Sequence, residues 1–218
     1  MLVVVVVISV GLLSVVVVLT NGMKYVQKTR QKVIAINLAR EGMEAVYQIR
    51  DTNRTRWAGV KDQCRLKINP LVNDQSSDSC NDDLRFTSGS YVLQRLMTGD
   101  QTYFALTGVL LSGIDFSDGI DSSDYTFSLC QQSGYWDSCI GNQTTTSEGK
   151  YFREIQGLGL YLKDVSVTGG TAIVCTGGLD RICGGDRAKE FRFCSKVAYI
   201  GDGTGEVKIC GVITNFKK

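Results

Sequence analysis

Histidine is absent from all 218 residues, which excludes Ser-His-Asp and Cys-His nucleophile pairs, the H-E-x-x-H zinc proteases and every His-bearing zinc finger. Proline occurs once, at Pro70, so no proline interrupts a helix upstream of it. No two cysteines have the C-x-x-C spacing of a thioredoxin-like site or a zinc ribbon. The glycine-rich stretches between 169 and 185 lack the Lys-Ser/Thr of a phosphate-binding loop. Charge is missing before Lys24, and acid before Glu41. An enzyme would need a Cys, carboxylate or Lys mechanism with no histidine partner, and no motif supports one. The chain is therefore read as a non-enzyme without a cofactor.

What is present is unevenly placed. Met1 to Thr20 reads MLVVVVVISVGLLSVVVVLT, interrupted only by Ser9, Gly11, Ser14 and Thr20. That matches the roughly 20 residues an α-helix needs to cross the hydrocarbon layer, and small hydroxyl residues can bond back to their own helix. A cleaved secretory signal wants basic residues ahead of a shorter apolar core, whereas here only Met1 precedes it and Asn21-Gly22-Met23 is a poor cleavage site. A plain membrane anchor meets a conflict. Lys24, Lys28, Arg30 and Lys32 after the segment would hold the remainder in the cytoplasm by the positive-inside tendency, yet eight cysteines point to an oxidising exterior. The conflict disappears if a positively charged leader once set the topology and was removed.

The cysteines stand at Cys64, Cys80, Cys130, Cys139, Cys175, Cys183, Cys194 and Cys210. About 105 pairings are open to eight cysteines; pairing each with its neighbour closes the shortest loops. The last pair has a second argument. If a hairpin turns at Asp202, residues whose numbers sum to 404 face one another, which sets Cys194 against Cys210 and, at a mild cost, Lys196 against Lys208. Each bridge would stabilise by roughly 2–4 kcal/mol.

Charge divides the chain into a basic stretch over 21–62 (net +5), an acidic middle over 63–149 (net −7) and a basic end over 150–218 (net +4). In the first, Ala35, Leu38, Ala39, Gly42, Ala45, Val46 and Ile49 recur at i, i+3, i+4, i+7 and predict a buried helix face, with Arg40, Glu44, Tyr47 and Asp51 marking another side. Joined to the apolar run this predicts one helix of roughly 55 residues, about 80 Å long, weakest at Thr20-Asn21-Gly22. Beyond Gly59, β-like runs are expected at Leu84–Met97, Tyr103–Leu111, Tyr125–Cys130, Tyr151–Ile155, Gly159–Val167, Ala172–Cys175, Phe191–Tyr199 and Val207–Phe216. A long helix beside such strands predicts an α+β fold: the helix packed on an antiparallel sheet that cannot bury its inner face alone.

Four segments carry a family resemblance: VVVVISVGLL in the apolar run, AINLAREGMEAVYQIRDTNRTRWAG at 35–59, YFREIQ at 151–156 and SKVAYIGDGTGEVKICGVITNFK at 195–217. Together they resemble type IV pilin-like proteins, particularly pilins of reduced-genome bacteria of the candidate phyla. The resemblance covers the first 59 residues and about the last 70; the acidic middle is outside it. It implies a pilin-like fold and a chain cleaved by a prepilin peptidase, held in the inner membrane and then packed into an extracellular filament. The same all-round apolar helix suits lipid and a fibre core alike. The acidic residue that such proteins carry near the mature N-terminus has no counterpart, since Val5 stands there by count and Val3 by motif. Either the biological N-terminus lies elsewhere or the subunit assembles without that contact.

The resulting division is 1–22 as membrane or filament-core helix, with Met1, Val5, Ile8, Gly11, Leu12, Val16 and Leu19 in the core; 23–59 as amphipathic helix; and 60–218 as a disulfide-rich sheet head. Expected partners are copies of the chain, the pilus assembly machinery and membrane before assembly, and a host-cell surface for adhesion, with no specific nucleic acid. The alternatives are a membrane-anchored extracellular binding domain that never polymerises, and a minor pilin or pseudopilin of a secretion or DNA-uptake system. Asp115, Asp118, Asp121 and Asp124 recur every three residues, but the EF-hand order and its bidentate Glu are missing. They are weak calcium candidates, and a solvated acidic loop is the preferred reading, so no metal is assigned. Asn53-Arg54-Thr55 and Asn142-Gln143-Thr144 fit the N-glycosylation pattern.

Overall fold

The computed structural model describes residues 2–56, 68, 88–98, 101–109, 113–114, 124–132, 135–139, 150–162, 189–201 and 203–214. One helix, α1 (Leu2–Arg56), runs through all of the first segment. It continues without interruption across Thr20-Asn21-Gly22, the expected weak point. A glycine costs about 1 kcal/mol in a helix, too little to break one already propagating from both sides. The hydroxyls of the apolar part turn back onto the helix: Ser9 Oγ donates to Val5 O (2.7 Å), Ser14 Oγ to Gly11 O (2.7 Å) and Thr20 Oγ1 to Val16 O (2.8 Å). No hydroxyl of that stretch is left to face an apolar surround unpaired.

Five strands form the main antiparallel sheet: β1 (Gly89–Thr98), β2 (Gln101–Val109), β5 (Tyr151–Leu162), β6 (Lys189–Gly201) and β7 (Gly203–Thr214), in the order β2-β1-β5-β6-β7. A two-stranded ribbon, β3 (Leu129–Gln132) with β4 (Tyr135–Ser138), forms a second sheet packed against it. The β6–β7 register pairs residues summing to 404 from Glu190↔Thr214 to Gly201↔Gly203, including Cys194↔Cys210 and Lys196↔Lys208. Gly203, at φ 120°, supplies the backbone conformation the tight turn after Gly201 requires.

The C-terminal half of α1 lies across one face of this sheet. Ala45, Val46 and Ile49 pack with Tyr91, Leu93, Leu106, Ile155, Phe191 and Phe193, and Ala35, Leu38 and Ala39 pack with Tyr151, Val197 and Tyr199. Each large apolar side chain so buried contributes roughly 1.5–3 kcal/mol. Close approach depends on Gly42, where an added Cβ would run into the Ser195 hydroxyl and sit 3.1 Å from Ile155 Cδ1. The opposite face of the sheet has its own smaller core of Val92, Ile114, Phe127, Phe152 and Ala198. Strand alternation explains the division: Phe193, Val197 and Tyr199 of β6 face the helix, while Ala198 between them faces the outer layer.

Three strand expectations differ from the fold. Asp124–Phe127, inside the expected Tyr125–Cys130 strand, is a short 3-10 helix, and regular pairing begins only at Leu129. Burial of Phe127 in the outer core outweighs the β preference of Tyr125 and Phe127. The runs expected at Tyr151–Ile155 and Gly159–Val167 form one strand to Leu162, with an irregularity between Gly157 and Gly159. Strand β4 was not expected at all. The Ala172–Cys175 run lies outside the described residues, as do Cys64, Cys80, Cys175 and Cys183.

Candidate assembly surface

Two disulfides are described, Cys130–Cys139 and Cys194–Cys210, both between sequence neighbours. The first closes the β3–β4 ribbon, whose backbone is extended by Cys139 N donating to Ser128 O. The second links directly opposed residues, with Cys194 buried and Cys210 exposed. Disulfides of this kind persist in oxidising compartments.

The first half of α1 projects from this head uncovered. Every large apolar side chain from Val3 to Leu19 is between 54% and 76% exposed, and the helix is long and apolar enough to cross a membrane. Val5, Ile8, Leu12, Val16 and Leu19 are all exposed, and Gly11 has no heavy atom near its Cβ direction; Met1 lies outside the described residues. Lys24, Lys28, Arg30 and Lys32 follow, all exposed. Ala35, Leu38, Ala39, Gly42, Ala45, Val46 and Ile49 are buried. Asp115, Asp118 and Asp121 lie outside the described residues, as does the side chain of Asp124, and no group of metal-ligating side chains occurs among those described.

Two charged groupings hold the head to its helix and to itself. Glu41, on the sheet side of α1, pairs with Arg153 Nη1 at 3.4 Å and Arg95 Nη2 at 3.7 Å. Asp137 of β4 joins them by accepting from the Arg95 backbone N–H at 3.3 Å. Arg153 is only 2% exposed. Burial lowers the pKa of its guanidinium, and the carboxylates of Glu41 and Asp137 pull the other way. On the outer face, Glu154 is fully buried and accepts from Ser90 Oγ (2.6 Å) and from the Ile114 backbone N–H (3.1 Å). Burial also raises the phenol of Tyr151, with Arg30 lowering it and Tyr199 adding to the rise.

The sequence reading did not find these groups. One signal was there: alternation within Tyr151-Phe152-Arg153-Glu154-Ile155 puts Arg153 on the face of Tyr151 and Ile155. An inward arginine demands a carboxylate from whatever covers it, and Glu41 lies between Leu38 and Ala45 on the covering helix. The β4 strand also had a signal, the Ser133-Gly134 turn pair between Cys130 and Tyr135. Comparison with family models, curated proteins and solved structures finds no match to this chain.

Proposed function

We propose that this chain is the structural subunit of an extracellular, pilus-like filament, polymerising through the apolar half of α1 while the disulfide-linked head coats the fibre. The observation that carries the reading is the uncovered, all-round apolar surface of Val3–Leu19. Such a surface needs lipid or further copies of itself, because contiguous apolar patches on soluble monomers rarely exceed a few hundred Å². Lipid alone accounts for only part of the helix. The stretch from Val3 to Val33, exposed at every position but Gln31, is about 46 Å long, against about 30 Å of hydrocarbon, and Met23, Val26 and Val33 in the surplus are 66%, 65% and 51% exposed. The same helix residing in the inner membrane before assembly fits both facts.

Electron microscopy of the shed surface fraction tests this, with the chain identified in any fibres by mass spectrometry. Fibres built from the chain are expected. A chain found only as single copies in the membrane fraction would overturn the proposal in favour of an anchored binding domain.

A further inference from the structure

Between the apolar run and the head, α1 has two unlike faces. Lys24, Lys28 and Lys32 recur every four residues and form one row about 12 Å long. Residues seven apart share a face to within about 20°, so Lys28 lies on the face of Ala35 and Lys32 on that of Ala39, both of which are buried against the head. The lysine row is thus on the head's side of the helix and points into the space below it. Val26 and Val33, also seven apart, take the opposite side and are exposed. Exposed Lys150, at the start of β5, extends the basic surface onto the head, next to Ile200, whose N–H bonds Lys150 O. Gly201, the next residue, packs closely against Gln31 of the helix. No carboxylate among the described residues pairs with Lys24, Lys28, Lys32 or Lys150.

Resting on the filament reading above, we infer that this lysine row is a docking surface for the acidic head of a second copy of the chain, seated beneath the first. Charge complementarity names the occupant: residues 63–149 carry eleven acids against four bases, while the row and its surroundings are basic. One-sidedness separates it from the competing occupant, an anionic lipid surface. Headgroups surround a spanning helix on every side, whereas here three of the four exposed bases share the head's side of the helix and only Arg30 stands beside Val26 and Val33 on the other. A partner lying on one side of the helix, below the head, fits that distribution.

The test is zero-length carbodiimide cross-linking of fibres grown from a mixture of isotopically light and heavy full-length chains. Mixed-isotope cross-links joining Lys24, Lys28 or Lys32 to acids within 63–149 are expected. The K24Q/K28Q/K32Q variant should lower fibre yield about tenfold, K24R/K28R/K32R should restore it, and added salt should weaken wild type more than the glutamine variant. Fibres lacking such cross-links overturn this inference and leave the filament reading standing; no fibres at all overturn both. In a parallel arm, vesicles of phosphatidylcholine are compared with vesicles containing phosphatidylglycerol. If the glutamine variant loses only its preference for the anionic vesicles and assembles normally, the row serves lipid and the inference fails.

Discussion

Glu154 and Lys196 stand directly opposite each other on β5 and β6 and hold one residue by both ends of its backbone. Glu154 accepts from the N–H of Ile114 at 3.1 Å, and Lys196 Nζ donates to its carbonyl at 2.7 Å. Gly113, at φ 89°, lets the chain come close enough, since a Cβ there would collide with the Glu154 carboxylate. Lys196 also lies 3.3 Å from Glu206, which offsets the repulsion expected from Lys208 opposite it. Ile114 is therefore fixed to the sheet by both of its backbone groups.

Replacing Glu154 by Ala strands the Ser90 hydroxyl and the Ile114 N–H in a buried site. Unpaired buried donors cost about 1–3 kcal/mol each, so E154A is expected to lose about 3 kcal/mol in urea unfolding, and E154Q less because the amide oxygen still accepts. Equal stability of E154A and wild type would show that the bracket contributes nothing.

The contact of Gly42 with Ser195 predicts a coupled pair. G42A gains about 1 kcal/mol of helix propensity but forces a Cβ onto the Ser195 hydroxyl, with a net loss of about 1–2 kcal/mol. Ser195 Oγ is buried and makes no hydrogen bond among the described residues, so S195A should be neutral or slightly stabilising. In a double-mutant cycle, S195A is expected to recover part of the G42A loss; strict additivity would mean the helix shifts instead of clashing.

How far these features could be read in advance depended on distance along the chain. The Cys194–Cys210 register follows from local symmetry about Asp202, because a hairpin turn and a period of two determine every pair beyond it. The buried face from Ala35 to Ile49 likewise follows from spacing alone. Glu41 with Arg153, and Glu154 with Ile114, join segments far apart in sequence, so their partners depend on how the layers stack, which no local pattern encodes. The joining of the Tyr151–Ile155 and Gly159–Val167 runs has a related reason: glycines such as Gly157 and Gly159 suit a turn or a bulge, and only the pairing with Phe193 and Arg192 decides between them.

Arg153 is held in its buried place by Glu41. Neutralising one partner of a buried pair leaves an uncompensated charge, and E41Q is expected to cost about 2–3 kcal/mol, below the roughly 3–5 kcal/mol of a fully buried pair because Glu41 is one-third exposed. Once Arg153 is replaced by Met, the carboxylate has less to neutralise. The E41Q/R153M double variant should therefore be more stable than E41Q alone, as read by chemical denaturation, and a double variant worse than both singles would contradict the pairing.

Tyr151 gives the head an alkaline limit. Its phenol pKa is raised by burial, so the folded state holds its proton at a pH where the unfolded chain has released it. The linked stability is fully present below about pH 10, the ordinary tyrosine value, and is lost as pH rises through the folded-state value. Y151F removes the titrating group but keeps the ring against Trp136. The fall in unfolding midpoint on alkalinisation should be shallower in Y151F than in wild type; identical slopes would assign the alkaline loss to other groups.

Removing the uncovered half of α1 should leave the head intact. A fragment from Ala35 to Lys218 keeps every fully buried helix residue of the head core, losing only the edge contacts of Ile34 and Gln31, and discards Val3 to Leu19, none of which touches that core. The full chain buries no apolar surface along that stretch, so folding of the head gains nothing from it, while the cost of exposing it to water, about 25 cal/mol per Å², drives self-association or entry into detergent. The fragment is expected to be monomeric by sedimentation, soluble without detergent, and to unfold in a single cooperative step. Melting in a broad, non-cooperative transition would mean that the head depends on the apolar helix for its own order, and the division of labour along α1 would have to be redrawn.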